Sequence, residues 1–354
     1  MNIEFHYYIT FILCRKAGFD PDESYKIAYS SQYTDDNDSH KFVNFKGGGG
    51  FISKISQTMD VSKPDDKHKS IYPYFHFIPG GVDAKEACRF KKELKEICKN
   101  NSNFKCGDPS CLLTVPNSKN AEDIFNEALN TEDDKLLLFR LGIAIHAYAD
   151  TWSHQNFVGY ENKLNSANTN LIELKLCHAN FKHDPDEINH KWRDERLDID
   201  HKIDNNERFL QAAKEIFLRL YMFKNPTASA IQAVEKYKEI ELEKKLKSAI
   251  VQPVFKSLFR KNTRLNAYRD ICPELKLKKY NYKKNEWFKN AVKQEKGLWG
   301  LPEINVFDKY SEAENFRDSN WYKFQKAVEK HIEYCKKKFE MIYDEHKLKR
   351  VAYE

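Results

Sequence analysis

Long apolar runs are missing from this 354-residue sequence. A membrane-spanning helix requires about 18 consecutive apolar residues, and no stretch is that long. The segment YYITFILC near the N-terminus has the length of a signal-peptide core. However, Glu4 stands where a positive region is expected, and no small-residue cleavage site follows. We therefore expect an amphipathic first helix and a cytoplasmic protein.

A cysteine framework is also missing. The eight cysteines are scattered, and the closest pair, Cys106 and Cys111, has no second pair to complete a metal or redox motif. We expect mostly free thiols in a reducing compartment, with a redox or disulfide role for this pair as the alternative. The four consecutive glycines at 47–50 lack the lysine and the strand of a phosphate-binding loop.

Neither a strong charge imbalance nor a strand pattern is present. Lys and Arg number 59 and Asp and Glu 53, and the resulting charge of +6 permits nucleic acid or an anionic membrane as partner without demanding either. Hydrophobic residues make up 41% and charged residues 32%, which is typical of a globular protein. With no convincing alternation and no internal repeat, the sequence predicts an all-α fold.

The most informative stretch is DDKLLLFRLGIAIHAYADTWSHQNF at residues 133–157, whose apolar residues recur at helical spacing. His146, Asp150 and His154 would lie about 40° apart in succession around such a helix and would share one face. Imidazole nitrogens and carboxylate oxygens are ligands of catalytic zinc. The pattern favours a metal site; the alternative is two hydrogen-bonded core histidines and a carboxylate near a helix end.

Other candidate ligands lie among aromatic residues or at a helix end. His6 stands in FHYY and His76 in YFHFIP. Asp35 and Asp36 follow a predicted helix over residues 21–33, where acidic groups oppose the helix dipole and a cation would favour them. The alternative is that both acids are solvated loop residues.

HAYADTWSHQNF resembles the central helix of the superfamily of zinc-dependent phospholipases C and single-strand-specific nucleases, which includes the HET-C-like toxins. The order His6, Asp35, His76, His146-x3-Asp150 and His154 resembles the order of that superfamily's ligands. FHYY and the HAYADTW-SHQNF block also resemble a group of uncharacterised bacterial proteins. The resemblance covers roughly residues 3–200.

The resemblance implies a multi-helix bundle that binds two or three Zn²⁺ ions and hydrolyses a phosphodiester, in a phospholipase C-like or nuclease-like reaction. Asp35 would bridge metals, and Asp35 and Asp150 would be the catalytic carboxylates. Tyr29, Tyr33 and Trp152 are candidates for the pocket wall. In the secreted enzymes an N-terminal Trp supplies its amine to a metal; this chain starts Met1-Asn2, so we expect that ligand to be missing.

The later ligands of the superfamily have no plain counterpart, and His178 and His183 are the substitutes that we expect, with Asp186 third. On a regular helix His178 and His183 would diverge by about 140°, so both face one site only if the backbone turns. Asp184-Pro185 gives a reason for such a turn. The alternative is a surface loop whose histidines only titrate.

We predict a metal-binding core over residues 1–203 and a helical extension over residues 204–354 that packs on it. The segment from Phe255 to Lys296 interleaves basic and aromatic residues, which suits a membrane surface or single-stranded nucleic acid; the alternative is a solvated helix face. Two other functions stay open. One is a non-catalytic helical protein with a structural metal, and the other is a toxin or defence effector whose C-terminal half binds a partner.

Overall fold

The computed structural model describes residues 1–58, 70–87, 89–92, 109–160, 162–166, 178–199, 201–253, 263–294 and 310–345. A π-helix over Glu4–Ile9 opens the chain and continues into the first α-helix. The α-helices are α1 (Thr10–Ala17), α2 (Pro21–Asp36), α3 (Ile71–Phe75), α4 (Val82–Ala87), α5 (Lys119–Leu129), α6 (Asp134–Ser153), α7 (Asn205–Lys224), α8 (Ala230–Glu239), α9 (Leu242–Ile250), α10 (Thr263–Ile271), α11 (Glu286–Ala291) and α12 (Asn320–Glu345). Short 3-10 turns cover Pro109–Leu112, Lys163–Asn165, Ala179–Phe181, Pro273–Lys276, Lys278–Tyr280 and Phe316–Asp318.

Helix α6 is the centre of the fold. Its N-cap is Asp133, whose side chain accepts a hydrogen bond from the Lys135 amide, and every residue from Phe139 to Ser153 is buried. A helix that is apolar on all sides must be surrounded, and α2, α5, α7 and α12 pack around it. Gly142 lets the α2 backbone approach, because a Cβ there would lie 2.4 Å from the Ile27 carbonyl oxygen.

The prediction of an all-α fold is wrong, because two small sheets accompany the helices. The strands are β1 (Phe42–Asn44), β2 (Gly50–Ile52), β3 (Lys191–Arg193), β4 (Lys202–Asp204), β5 (Val292–Gln294) and β6 (Tyr310–Glu312). One sheet has the order β2-β1-β6-β5, with β1 and β6 parallel and the outer pairs antiparallel; β3 and β4 form an antiparallel pair.

Two physical reasons explain the error. Each strand has three residues, which is too short for a period of two to stand out. The parallel pair also joins Val43 to Tyr310, and no local pattern reveals such a distant partner. Gly47, Gly48 and Gly49 lie in the β1–β2 hairpin connection and Gly50 begins β2; Gly48 (φ 93°) and Gly49 (φ 75°) adopt conformations that favour glycine.

Residues after 204 pack against the N-terminal helices in the main hydrophobic core. The Trp287 ring stacks on Tyr29 with ring centroids 3.9 Å apart, and the Tyr7 hydroxyl donates a 2.6 Å hydrogen bond to the Tyr280 carbonyl. The proposed boundary between residues 203 and 204 stays a prediction.

The segment from Phe255 to Lys296 is described only over residues 263–294, and the remainder lies outside the described residues. Its aromatic residues Tyr280, Trp287 and Phe288 are buried. Its membrane or nucleic-acid role stays a prediction. Cys106 also falls outside the described residues, whereas Cys111 is buried. Within the described parts of the chain, no helix combines the length and the apolar character needed to cross a membrane.

Candidate metal centre

Helix α6 supplies His146 and Asp150, one turn apart and both essentially buried. His146 Nε2 lies 3.3 Å from Asp150 Oδ2. The helix ends at Ser153, so His154 is its C-cap residue (φ −91°, ψ 16°) and not part of the regular helix that the sequence predicted. His154 nevertheless keeps to the same side, since its Nδ1 lies 3.7 Å from Asp150 Oδ2.

His6 reaches these residues from the start of the chain. It lies in the π-helix, a rare conformation that is frequent at functional sites. Its Nε2 is 3.1 Å from Asp150 Oδ1, and its ring stacks on His146 with centroids 3.9 Å apart. The side chain is fully buried, yet neither ring nitrogen has a hydrogen-bond partner among the described residues. A buried imidazole of this kind calls for a proton donor, an acceptor or a cation.

Asp35 lies in the last turn of α2, which runs one turn beyond the predicted end at Tyr33. Its Oδ1 is 3.6 Å from His146 Nε2 and 3.8 Å from His76 Nδ1. Its Oδ2 is 3.9 Å from His6 Nε2. The Asp35 side chain is 26% exposed, so this carboxylate lies between the buried histidines and solvent.

His76 follows the short helix α3 and is oriented by a backbone group. Its Nε2 lies 2.9 Å from the Ser56 carbonyl oxygen, and since a carbonyl only accepts, this nitrogen carries the proton. In the neutral ring Nδ1 then carries a lone pair and no proton. This nitrogen lies 3.2 Å from Asp150 Oδ2 and 3.1 Å from His146 Nε2. Two acceptors at such a distance require a proton or a cation between them.

His154 and His178 repeat this arrangement. His154 Nδ1 donates to the His76 carbonyl at 2.7 Å, and His178 Nδ1 donates to the Lys182 carbonyl at 2.8 Å. Their Nε2 atoms face the two oxygens of Asp186 at 3.0 and 3.2 Å. Asp186 therefore lies between two imidazoles whose other nitrogens are fixed by backbone carbonyls, as is common for metal-ligating histidines.

Three groups of ligand atoms result, and two of them share His146. They are His6, His146 and Asp150; Asp35, His76 and His146; and His154, His178 and Asp186, with ligand atoms within 4.8 Å of one another in each group. Atoms that bind one zinc ion at about 2.0–2.1 Å with tetrahedral angles lie about 3.3 Å apart. The histidine–carboxylate separations run from 3.0 to 3.9 Å. These buried groups could hold a metal ion.

The amine of Met1 is also in this cluster, although the start Met1-Asn2 led us to expect no N-terminal ligand there. It forms an ion pair with Asp150, lies 3.1 Å from Asp186 Oδ1, and donates to Ser153 Oγ at 3.2 Å. Burial alone would lower its pKa, but the carboxylates of Asp150, Asp186 and Asp35 raise the pKa to about 11. Only the resemblance to the secreted enzymes, whose N-terminal amine binds a metal, pointed to such a position.

The electrostatics of the cluster favour ionised carboxylates. Burial opposes ionisation of Asp150 and Asp186, but the Met1 amine and the neighbouring imidazoles hold both pKa values well below the usual range. Burial, together with the nearby His146, lowers the pKa of His6 to about 4, and burial also lowers the pKa of His154. Burial alone would also lower the pKa values of His76 and His178, but Asp150 and Asp35 raise that of His76 and Asp186 raises that of His178. A divalent cation bound between these carboxylates and imidazoles would displace the ring protons, so metal binding and protonation compete.

Two residues proposed as ligands lie elsewhere. Asp36 accepts a 2.5 Å hydrogen bond from the Tyr282 hydroxyl and lies 3.4 Å from Lys284 Nζ. His183 is exposed and belongs to none of the three groups, whereas Asp186, the third choice for this segment, belongs to one. The turn through Pro185 therefore brings His178 and Asp186 to the cluster and leaves His183 outside.

The residues proposed for a pocket wall lie in the hydrophobic core. Tyr29 donates from its hydroxyl to the Lys283 carbonyl at 2.8 Å, and Tyr33 packs edge-on against Phe324. Trp152 packs against Tyr148. These buried aromatic residues belong to the core that packs α2 and α6, whereas the partly exposed Asp35, His178 and Asp186 mark the solvent side of the cluster.

Comparison with known proteins identifies the family. A family of unknown function, DUF6765, matches residues 1–339, so the chain belongs to that family. The match includes every residue of the metal-ligand cluster and continues through most of α12. No curated protein and no solved structure matches the chain.

Proposed function

We propose that this chain is a phosphodiester hydrolase that uses two or three zinc ions, as the resemblance to the zinc-dependent phospholipases C and nucleases implies. The observation that carries the proposal is that one ring nitrogen of His76, of His154 and of His178 faces a carboxylate oxygen at 3.0–3.2 Å, while the other ring nitrogen is fixed by a backbone carbonyl. A proton could fill one such gap. A proton does not account for His6 Nδ1, which is buried without a hydrogen-bond partner in the described residues.

The donor set favours zinc among divalent cations. Imidazole outnumbers carboxylate in the first two groups taken together, and neutral imidazole nitrogens suit zinc better than magnesium or calcium. Zinc ions bound here would supply Lewis acidity toward phosphoryl oxygens and would lower the pKa of water. His6, His146 and Asp150 would hold one ion, and Asp35 and His76 would hold a second beside it.

Two carboxylates of the chain would have different roles in the reaction. Asp35 is the partly exposed carboxylate at the edge of the buried histidines, and its Oδ2 would take the proton of the attacking water. Asp150 is buried, and its two oxygens orient His6, His76 and His146. Asp150 therefore positions the imidazoles and does not itself exchange protons with solvent.

Access to solvent favours a catalytic over a structural metal centre. Structural zinc sites are closed by protein ligands, whereas catalytic sites keep a position open. Here the side chains of Asp35, His178 and Asp186 are 26%, 18% and 20% exposed. A substrate phosphate could reach the cluster from that side.

Metal counting and a substrate panel test the proposal. The His146→Ala variant removes the residue shared by two groups and should lose bound zinc and hydrolysis. His183→Ala is the matched control, because His183 is exposed and lies in the same protein outside the groups. Zinc per chain is measured by elemental analysis, and hydrolysis with phospholipid, single-stranded nucleic acid and nucleotide diester substrates.

More than one zinc ion per wild-type chain, and hydrolysis of one panel member, is the expected result. One ion per chain with no hydrolysis would favour the structural metal site instead. If His146→Ala keeps both metal and activity, the metal centre is not where the proposal places it.

A further inference from the structure

A polar cleft lies at the start of α7 and shares no residue with the three groups of candidate metal ligands. Its volume is about 290 Å³. The loop after α6 contributes Gln155 and Asn156, and the first turns of α7 contribute Arg208 and Gln211. Polar groups from separate parts of the chain therefore converge on one concave surface.

Arg208 is the unusual member of this cleft. It is 8% exposed, its Nη1 is buried, and no hydrogen bond or ion pair to its guanidinium occurs in the part of the chain that the structure describes. Its neighbour Trp192 offers only a ring face, 5.8 Å from the guanidinium carbon. Burial lowers the pKa of Arg208 to about 10, which leaves the group charged near neutral pH. Buried cations without a partner are rare because their desolvation is costly.

The nearest buried carboxylate does not serve Arg208. Asp194 receives two hydrogen bonds from Arg196, from Nε at 2.8 Å and from Nη2 at 2.7 Å. The guanidinium of Arg196 thereby occupies both oxygens of Asp194. Arg208 is left with a weaker, longer-range attraction to that carboxylate.

The other charges of the cleft are two cations and two acids. Arg89 and Lys202 line it together with Arg208. Asp204 caps the N-terminus of α7 and forms an ion pair with Lys191 at 2.7 Å, and Glu207 is exposed to solvent. Three cations and two acids therefore line the cleft, and one of the acids, Asp204, already forms an ion pair with Lys191.

We infer that this cleft binds the phosphate group of a small phosphate monoester, with Arg208 as its buried anchor. A phosphate monoester carries nearly two negative charges near neutral pH and several acceptor oxygens, which match the buried guanidinium of Arg208 and the exposed ammonium group of Lys202 in the same cleft. Guanidinium groups bind such oxyanions with paired hydrogen bonds. Gln155, Asn156 and Gln211 supply further donors around the same space.

Calorimetric titration with inorganic phosphate tests this inference on the full chain, at an ionic strength held constant with chloride. Arg208→Met should weaken one phosphate-binding event at least tenfold. Lys202→Met, at an exposed position that tolerates change, should weaken the same event several-fold. Arg317→Met is the matched control: it removes one exposed positive charge outside the cleft and should leave the event unchanged.

Phosphate bound at the metal centre would persist in both cleft variants, so the two sites are distinguishable. The inference is overturned if wild-type protein binds no phosphate, or if Lys202→Met and Arg208→Met bind it as tightly as the control. Acetate that binds as tightly as phosphate would overturn the assignment to a phosphate group. If Arg208→Met does not fold, Lys202→Met decides the result.

Discussion

Replacing Gly142 by alanine should separate α2 from the central helix. A Cβ at this position would lie 2.4 Å from the Ile27 carbonyl oxygen, 2.5 Å from Ser30 Cβ and 3.1 Å from the Ser31 amide nitrogen. Two of these three contacts are with backbone atoms of α2, which cannot rotate away as a flexible side chain can. One of the two helices must therefore shift.

The magnitude follows from two opposing effects. Forcing an extra methyl into a tightly packed interior costs about 1–3 kcal/mol. Alanine in a helix is favoured over glycine by about 1 kcal/mol, which offsets part of that cost. Because the contacts are so close, we expect the upper end of the range and a net loss of about 2 kcal/mol in the free energy of unfolding.

The same shift should reach the metal centre. Ser31 lies one turn before Asp35 on α2, so a displacement of this helix moves the Asp35 carboxylate away from His76 and His146. Metal affinity should therefore fall together with stability, although none of the three atoms nearest to the added Cβ belongs to a candidate metal ligand.

Urea denaturation and competitive metal titration measure the two effects. Gly47→Ala is the control, since a Cβ at Gly47 meets nothing within 4 Å and should change neither quantity. A Gly142→Ala protein as stable as wild type, with unchanged metal affinity, would refute the packing argument.

Three further predictions concern single side chains. Asp35→Asn should weaken metal binding at least tenfold, whereas Asp36→Asn, which affects the contacts with Tyr282 and Lys284, should not; equal losses would contradict the geometry. His178→Ala should release one metal ion per chain and His183→Ala none, as elemental analysis will show; full occupancy in both variants would remove this segment from the site. Burial lowers the pKa of His331 from 6.5 to about 4. As the pH drops, His331 therefore takes up its proton in the unfolded chain before it does so in the folded protein. The free energy of unfolding should fall as the pH drops from 6.5 towards 4. The full loss of stability is up to about 3 kcal/mol. Urea denaturation at several pH values should show this loss in the wild type and not in His331→Gln. If both proteins lose the same stability between pH 6.5 and pH 4, His331 does not titrate as expected.

The central pair could be predicted from the sequence because its geometry is local. Any helix places residues four apart on one face, so His146 and Asp150 had to converge once the helix was identified. His6, Asp35 and His76 could be proposed only from the resemblance, because no local rule links residues separated by tens of positions. The structure brings all five into contact range.

Other features depend on information that no local pattern contains. The amine of Met1 lies near Asp150 because the π-helix points the chain start inward, and a terminal amine has no side-chain signature. The sheets depend on a register between residues at opposite ends of the chain. His183 resembles His178 in the sequence, and only the course of the turn through Pro185 distinguishes them.

The backbone carbonyls that fix the histidines connect the metal centre to the rest of the fold. The carbonyl of Ser56 orients His76, the carbonyl of His76 orients His154, and the carbonyl of Lys182 orients His178. None of these three carbonyls belongs to the central helix. Each lone pair therefore points inward only when the surrounding loops are in place, so the ligand geometry forms together with the tertiary structure. A cation bound to it would in turn stabilise those loops, because binding to the folded state alone shifts the folding equilibrium.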